Sequence, residues 1–175
     1  MPEHLEPIAR VPDFKFTDQT GTPFGLDDLK GKIWVANFIF TRCQGPCPVM
    51  TARMSELNRK LGRTAGAVQL VSFSVDPDYD QPAVLAEYAG RSGADSSRWK
   101  FLTGPKDSVD GLVVKGLLQP LANDPAGTPA HSVRFVMVDG SGMLRGFQDG
   151  NDPEVVQKLL MDIGDLLRER NAGKP

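Results

Sequence analysis

One apolar run, Ile33-Trp34-Val35-Ala36-Asn37-Phe38-Ile39-Phe40, constrains the fold more than any other feature of the chain. It reads as a buried strand. Thr41-Arg42-Cys43-Gln44-Gly45-Pro46-Cys47-Pro48 follows at once, and Val49-Met50-Thr51-Ala52-Arg53-Met54-Ser55-Glu56-Leu57 then reads as a helix that should run to about Leu61 and stop at Gly62. Strand, tight turn and helix in direct succession make the first half of a β-α-β unit.

The rest of the chain extends that unit. Phe14–Asp18 and Pro23–Leu26 flank a turn signal at Gln19-Thr20-Gly21-Thr22 and predict a β-hairpin. Asp27–Lys32 reads as a short helical turn. Gln69–Val75 is a second strand, stopped by Asp76-Pro77, and Pro82–Ala89 has a helical apolar period with proline in its first turn. Trp99–Gly104 is a third strand, and Val109–Leu118 reads as a helix weakened by two glycines and β-branched residues. A loop over 119–130 leads to Val133–Val138 and Met143–Phe147, joined by the hairpin turn Asp139-Gly140-Ser141-Gly142. Pro153 to about Arg170 is an amphipathic helix with Val155, Val156, Leu159, Leu160, Ile163, Leu166 and Leu167 on its apolar side.

Alternating β and α units closed by an antiparallel hairpin predict an α/β fold: a thioredoxin-like mixed central β-sheet flanked by helices, preceded by an N-terminal β-hairpin. A length of 175 residues fits one domain. The boundaries read as an irregular lead-in over 1–12, a single domain over 13–170 and a tail over 171–175. The net charge of −2 gives no reason to expect a nucleic-acid partner. No apolar stretch approaches the roughly 18–20 residues of a membrane helix. Met1–Pro7 has neither the basic nor the apolar region of a signal peptide.

Cys43 and Cys47 are the only cysteines. Two are too few for a disulfide scaffold, and a structural disulfide between them would close too short a loop to remove much chain entropy. A four-ligand structural zinc site is short of donors, since the only histidines are His4, near the terminus, and His131. Cys47 falls near the start of the helix, where the dipole and free N–H groups favour a thiolate, and Arg42 adds a nearby positive charge. The turn carries one residue more than the redox C-x-x-C. It can close a disulfide if the Cβ atoms approach to about 4 Å, or hold two soft sulfurs on one metal ion such as Cu(I).

His131 sits on the loop just before the strand at Val133. In a thioredoxin-like sheet that loop approaches the first β-to-α junction, so His131 can join Cys43 and Cys47. Two thiolates and an imidazole suit trigonal Cu(I) or, with a further ligand, Cu(II). Asp76 and Asp78 end the second strand on the sheet edge that carries sites in open α/β folds. A carboxylate there can orient the site or support metal delivery; the plainer alternative is a turn cap and a solvated neighbour. Trp34, Phe40, Met50 and Met54 read as core. A peroxidase is a poor match, because Thr41 and Arg42 directly precede Cys43.

With these residues in view, the chain resembles the Sco/SenC family of copper-binding, thioredoxin-like proteins from about Pro12 to Leu167. The resemblance rests on Gly21-Thr22-Pro23-Phe24 with Leu26, Leu29 and Gly31-Lys32, on Phe40–Pro48, on Ser74-Val75-Asp76-Pro77-Asp78-Tyr79-Asp80 and on Ala130-His131-Ser132. The first part is shared with peroxiredoxins and thioredoxin-like reductases; C-x-x-x-C-P with the late histidine is the specific part. Gln44 departs from the proline of many members.

The resemblance implies copper, as Cu(I) or Cu(II), bound by Cys43, Cys47 and His131. It implies a metallochaperone that helps mature the binuclear copper centre of cytochrome c oxidase, by delivering copper or by reducing that centre's cysteines, with Cys43 and Cys47 as the redox pair. The implied partners are the copper-site subunit of the oxidase and another copper chaperone or thiol reductant. The implied location is extracytoplasmic, on a membrane anchor that this chain does not contain. The competing reading is a thiol–disulfide oxidoreductase without a metal role. Against it stands the longer motif, and Pro129 lies two residues upstream of His131 rather than directly before the strand.

Overall fold

The computed structural model describes residues 5–45, 47–62, 66–94, 97–123, 129–130 and 132–173. Along the chain run β1 (Ala9–Arg10), β2 (Lys15–Thr17), β3 (Pro23–Gly25), a 3-10 turn (Leu26–Leu29), β4 (Ile33–Ile39), α1 (Cys47–Leu61), β5 (Val68–Ser74), α2 (Pro82–Arg91), β6 (Trp99–Leu102), α3 (Lys106–Gly111), β7 (Ala122–Asn123), β8 (Pro129–Ala130), β9 (Arg134–Val138), β10 (Met143–Asp149) and α4 (Val155–Asn171).

The sheet has the order β1-β10-β9-β4-β5-β6. β4 pairs in parallel with β5, from Ile33 opposite Val68 to Ile39 opposite Ser74, and antiparallel with β9. β5 is parallel to β6, while β1, β10 and β9 are mutually antiparallel. The sheet is therefore mixed, and the architecture is thioredoxin-like, with four flanking helices among the described residues. Every residue of β4 and of β5 is buried, which explains why both read as continuous runs rather than alternating patterns.

Right-handed crossovers place α1 and α2 on one face of the parallel strands. They touch there through Thr51 Oγ1 and Tyr88 OH, 2.7 Å apart. α1 buries Cys47, Met50, Thr51, Met54, Leu57 and Leu61, a stripe at helical spacing, and packs against α4. The hairpin β2–β3 joins the edge of the sheet by a bridge from Thr17 to Thr103. Its Phe14 and Phe16 form an aromatic cluster with Trp34 and Phe73, and Phe38 stacks on Phe73 at 6.1 Å between centroids. A polar chain crosses three strands inside this core: Trp99 Nε1 donates to Ser72 Oγ at 2.9 Å, and Ser72 Oγ donates to Asn37 Oδ1 at 2.5 Å. Trp34, Phe40, Met50 and Met54 are core residues, as expected.

Three elements differ from the sequence expectation. Ala9 and Arg10 form an edge strand on Leu144 and Met143, with Leu5 and Val11 buried beside it; two paired residues are too short for a period-2 signal. The third helix begins earlier, at Lys106, with Pro105 as its N-cap, and widens into a π-helical turn over Leu112–Gly116. Gly116 packs there against Leu112 and Pro12, where a Cβ would meet their atoms at 2.8 and 3.0 Å. Within the 119–130 loop, β7 and β8 pair as a short antiparallel ladder.

Candidate metal and thiol site

β4 and β5 are parallel neighbours, so the segments leaving their C-terminal ends lie side by side. One is Phe40–Cys43, running toward α1. The other is Val75–Asp80, running toward α2. Such crevices beyond the carboxyl ends of parallel strands are the usual sites of open α/β sheets.

Cys47 is the first residue of α1, and Cys43 lies on the turn before it. The two are not joined in a disulfide; Cys43 is half-buried and Cys47 is 1% exposed. Their side chains are within hydrogen-bonding reach of each other. The Cys43 backbone N–H donates to the Phe40 carbonyl at 3.1 Å, which tightens the turn.

Burial works against the thiolate that the helix start favours at Cys47. Burial pushes this thiol far above its ordinary range, and the hydrogen bond with Cys43 and the charges of Cys43 and Asp80 push the same way. A backbone hydrogen bond with Phe40 opposes them and is outweighed. Desolvation of a charged sulfur opposes the ionised form that a helix terminus favours.

Arg42 does not serve the thiols as a free cation. Its Nε and one terminal nitrogen donate to Asp76 Oδ2 at 3.1 and 2.7 Å, and its guanidinium lies 4.1 Å from the centroid of the Tyr79 ring. Asp76 thus has two tasks. Its carboxylate holds Arg42, and its carbonyl accepts the turn bonds of Tyr79 and Asp80 at 3.1 and 2.9 Å. Asp78 is exposed next to it.

The buried carboxylate of this edge is Asp80, which sequence reasoning quoted without giving it a role. It is fully buried and accepts the Thr41 hydroxyl at 2.5 Å, the Thr41 backbone N–H at 3.1 Å and the Ser74 hydroxyl at 2.7 Å. Asp80 therefore staples the cysteine turn to the end of β5. The available signal was a pair of hydroxyl residues, Thr41 and Ser74, at the ends of two adjacent apolar runs.

The structure brings together Cys43 and Cys47, with Asp76 and Asp78 on the neighbouring loop. His131 lies outside the described residues. Among the described residues, no group of three or more His, Cys, Asp and Glu side chains is placed to hold one metal ion. The two thiols are thus a soft two-donor set, of the kind that suits Cu(I) or a disulfide. Alongside Cys43, α1 and α2 enclose a groove of about 470 Å³ lined by Thr41, Cys43, Pro48, Thr51, Ala52, Ser55, Tyr88, Arg91 and Ser92.

A dithiol at the first β-to-α junction of such a sheet defines a thioredoxin-like protein. The SCO1/SenC family model matches residues 3–167, and the chain belongs to the SCO1/SenC family. It is similar to a SCO1/SenC family lipoprotein from Bacillus anthracis, with TM-score 0.84 and 35% identity over 93% of this chain and 98% of that one. It is also similar to BsSco, a Sco-family cytochrome c oxidase assembly protein in which a disulfide switch has been identified. That likeness has TM-score 0.81 and 31% identity, covering 92% of this chain and 95% of BsSco. A Stutzerimonas stutzeri protein named for copper binding is 32% identical over 78% of this chain and 67% of its own length. Among the described residues, no helix is long and apolar enough to cross a membrane.

Proposed function

We propose that this chain is a copper-binding assembly factor for the binuclear copper centre of cytochrome c oxidase. Copper is its cargo, held by the Cys43 and Cys47 sulfurs with His131 as third ligand. The observation that carries the reading is the pair of adjacent thiols, one half-buried and one buried, at the first β-to-α junction. Membership of the SCO1/SenC family supports it, as do the assembly role of BsSco and the naming of the Stutzerimonas stutzeri relative.

Soft sulfur donors select Cu(I) over harder divalent ions. Each thiol gives up its proton on binding, so affinity rises with pH until the thiols are ionised. Asp80 fixes the turn that spaces the sulfurs. Asp76 holds Arg42 off the thiols, and Asp78 completes a charged rim that faces a partner. A disulfide between Cys43 and Cys47 removes both donors, so oxidation switches copper binding off. By analogy with the Bacillus anthracis lipoprotein, the domain works outside the cytoplasm on a membrane anchor.

Titration of the reduced protein with Cu(I) against a competing chelator tests this. The expected result is one tightly bound equivalent, lost in Cys43→Ala and Cys47→Ala and weakened at least ten-fold in His131→Ala. Binding that is absent, or indifferent to all three substitutions, overturns it.

Thiol–disulfide exchange is the second reading, favoured by half-buried Cys43 on the wall of a groove. Turnover of a model protein disulfide by the copper-free protein, with a reduction potential in the range of known exchange partners, is its test.

A further inference from the structure

His131 lies outside the described residues, but the residues on either side of it in the chain are held. Before it, Ala130 stands opposite Ala122 in the β7–β8 ladder. After it, the Ser132 hydroxyl donates to Gln119 Oε1 at 2.6 Å. The same oxygen accepts the backbone N–H of Arg134, the first residue of β9, at 3.0 Å.

Gln119 is polar yet fully buried, and the backbone leading to it is unusual. The π-helical turn over Leu112–Gly116 ends with the Leu117 N–H donating to the Leu112 carbonyl at 2.8 Å. Leu118 then has a φ of 58°, the one positive value at a non-glycine among the described residues. That left-handed region is costly for a bulky side chain. Leu118 is itself exposed, so packing of its own side chain does not account for the conformation. The turn carries Gln119 inward, where its N–H donates to the Val113 carbonyl at 2.9 Å. Its side-chain Nε2 donates to the Leu117 and Leu118 carbonyls at 3.1 and 3.2 Å. Those two bonds fix the amide, and Oε1 is the end left to accept Ser132. Backbone strain and π-helical turns of this kind cluster at functional sites.

A second contact ties the same segment to the cysteine helix. Met50 lies three residues after Cys47 on α1. A Cβ at Gly150 would collide both with Met50 Sδ and with the Val133 carbonyl oxygen, and the Gly150 N–H donates to that carbonyl at 2.8 Å. The residue after Ser132 and the first turn of α1 therefore meet at one point of the backbone.

We infer that Gln119 is a positioning residue for copper binding: through Ser132 it fixes the chain on the C-terminal side of His131 and so sets where that ligand can reach. This rests on the proposed function in taking His131 as a copper ligand. Groups that hold a metal ligand in place commonly change affinity by about ten-fold or more without touching the metal.

The test is Cu(I) titration of reduced protein against a competing chelator, in the unaltered protein and in Gln119→Met, Ser132→Ala and Ser132→Thr, each with and without His131→Ala. Methionine keeps the length of the glutamine side chain without its amide, and threonine keeps the hydroxyl. The quantity read is the factor by which His131→Ala weakens binding within each background. The expected factor is about ten in the unaltered protein and in Ser132→Thr, and about two or less in Gln119→Met and Ser132→Ala. A general loosening of the fold weakens binding with and without the histidine alike and leaves the factor unchanged, so the factor isolates positioning. Should Gln119→Met fail to fold, Ser132→Ala, at a half-buried side chain, carries the test alone. A factor still at about ten in Ser132→Ala, or in folded Gln119→Met, overturns the inference and leaves the copper reading standing. A factor of about one in the unaltered protein removes His131 from the ligand set and overturns the inference together with that part of the reading.

Discussion

Asp80 and Thr41, from loops 39 residues apart in sequence, are joined twice, with the Thr41 hydroxyl and backbone N–H both donating to the same buried carboxylate. Ser74 donates to it as well, which closes the β4 and β5 ends over the cysteine turn. Asp80→Ala leaves the Ser74 and Thr41 donors without their acceptor in a dry site. The expected cost is about 2–4 kcal/mol, since hydrogen bonds to a buried charge are the strong ones. Urea unfolding measures it. The same variant should bind Cu(I) more weakly than its lost stability explains, because the turn that spaces the sulfurs is no longer held.

The Arg42–Asp76 pair is expected to behave differently despite equally short contacts. The Arg42 side chain is 55% exposed, so its ion pair competes with water and salt. Arg42→Ala should cost little stability, far less than Asp80→Ala. A double-substitution cycle with Asp76→Ala, repeated at high salt, should show the coupling shrinking toward zero. A cost comparable to that of Asp80→Ala would show that the pair is part of the staple rather than of the rim.

The two thiols should react in sequence. Cys43 lines an open groove, whereas Cys47 is 1% exposed and burial holds it protonated. Thiolates alkylate and thiols do not, so iodoacetamide at neutral pH should modify Cys43 first, with Cys47 slower by at least ten-fold. Peptide mass mapping over a time course reads this directly. Equal rates would mean that α1 opens at its first turn faster than alkylation occurs.

Much of this arrangement was legible in the sequence because apolar runs and turn residues act locally. Ile33–Phe40 and Gln69–Val75 stand out as buried strands, and the closing hairpin is announced by Asp139-Gly140-Ser141-Gly142. Placing Cys43 and Cys47 at a β-to-α junction follows from that order alone. Long-range polar pairing was not legible. Nothing local separates Asp80, buried under Thr41 and Ser74, from exposed Asp78 two residues earlier. Arg42 next to Cys43 looked like a thiolate partner, and only its distance to Asp76 reveals its actual one. The helix-start argument for Cys47 likewise lacked the quantity that opposes it, the depth of burial.

Arg145 carries the remaining prediction, on pH. The register of β9 and β10 shifts between Leu144 and Gly146, so Arg145 is the extra residue of a β-bulge, and bulges re-aim side chains. It is 2% exposed and donates to the Leu5 carbonyl at 2.6 Å, to Asp139 at 2.9 Å and to Glu169 at 2.8 Å. This one guanidinium ties the N-terminal segment, the closing hairpin and α4 together.

Burial alone would raise the Asp139 carboxyl. Hydrogen bonds from the Ser141 hydroxyl, from Arg145 and from the Met143 and Ser141 backbone overcome it and hold the carboxyl below its ordinary value of 3.8. A depressed folded value means that the ionised form is favoured by folding. Its stabilisation is therefore complete above the unfolded value and is lost as pH falls through the folded one. Stability should drop as pH is lowered from about 5 toward 2, and Asp139→Asn should flatten that limb while lowering stability near neutrality. Arg145→Met should cost about 3–5 kcal/mol, because it strands buried Asp139 and half-buried Glu169 without their cation. Hydrogen exchange should then show the Ile8 and Val11 amides, bonded to Leu144 and Gly142, losing protection first. An acid limb identical in Asp139→Asn and the unaltered protein would remove Asp139 as its source.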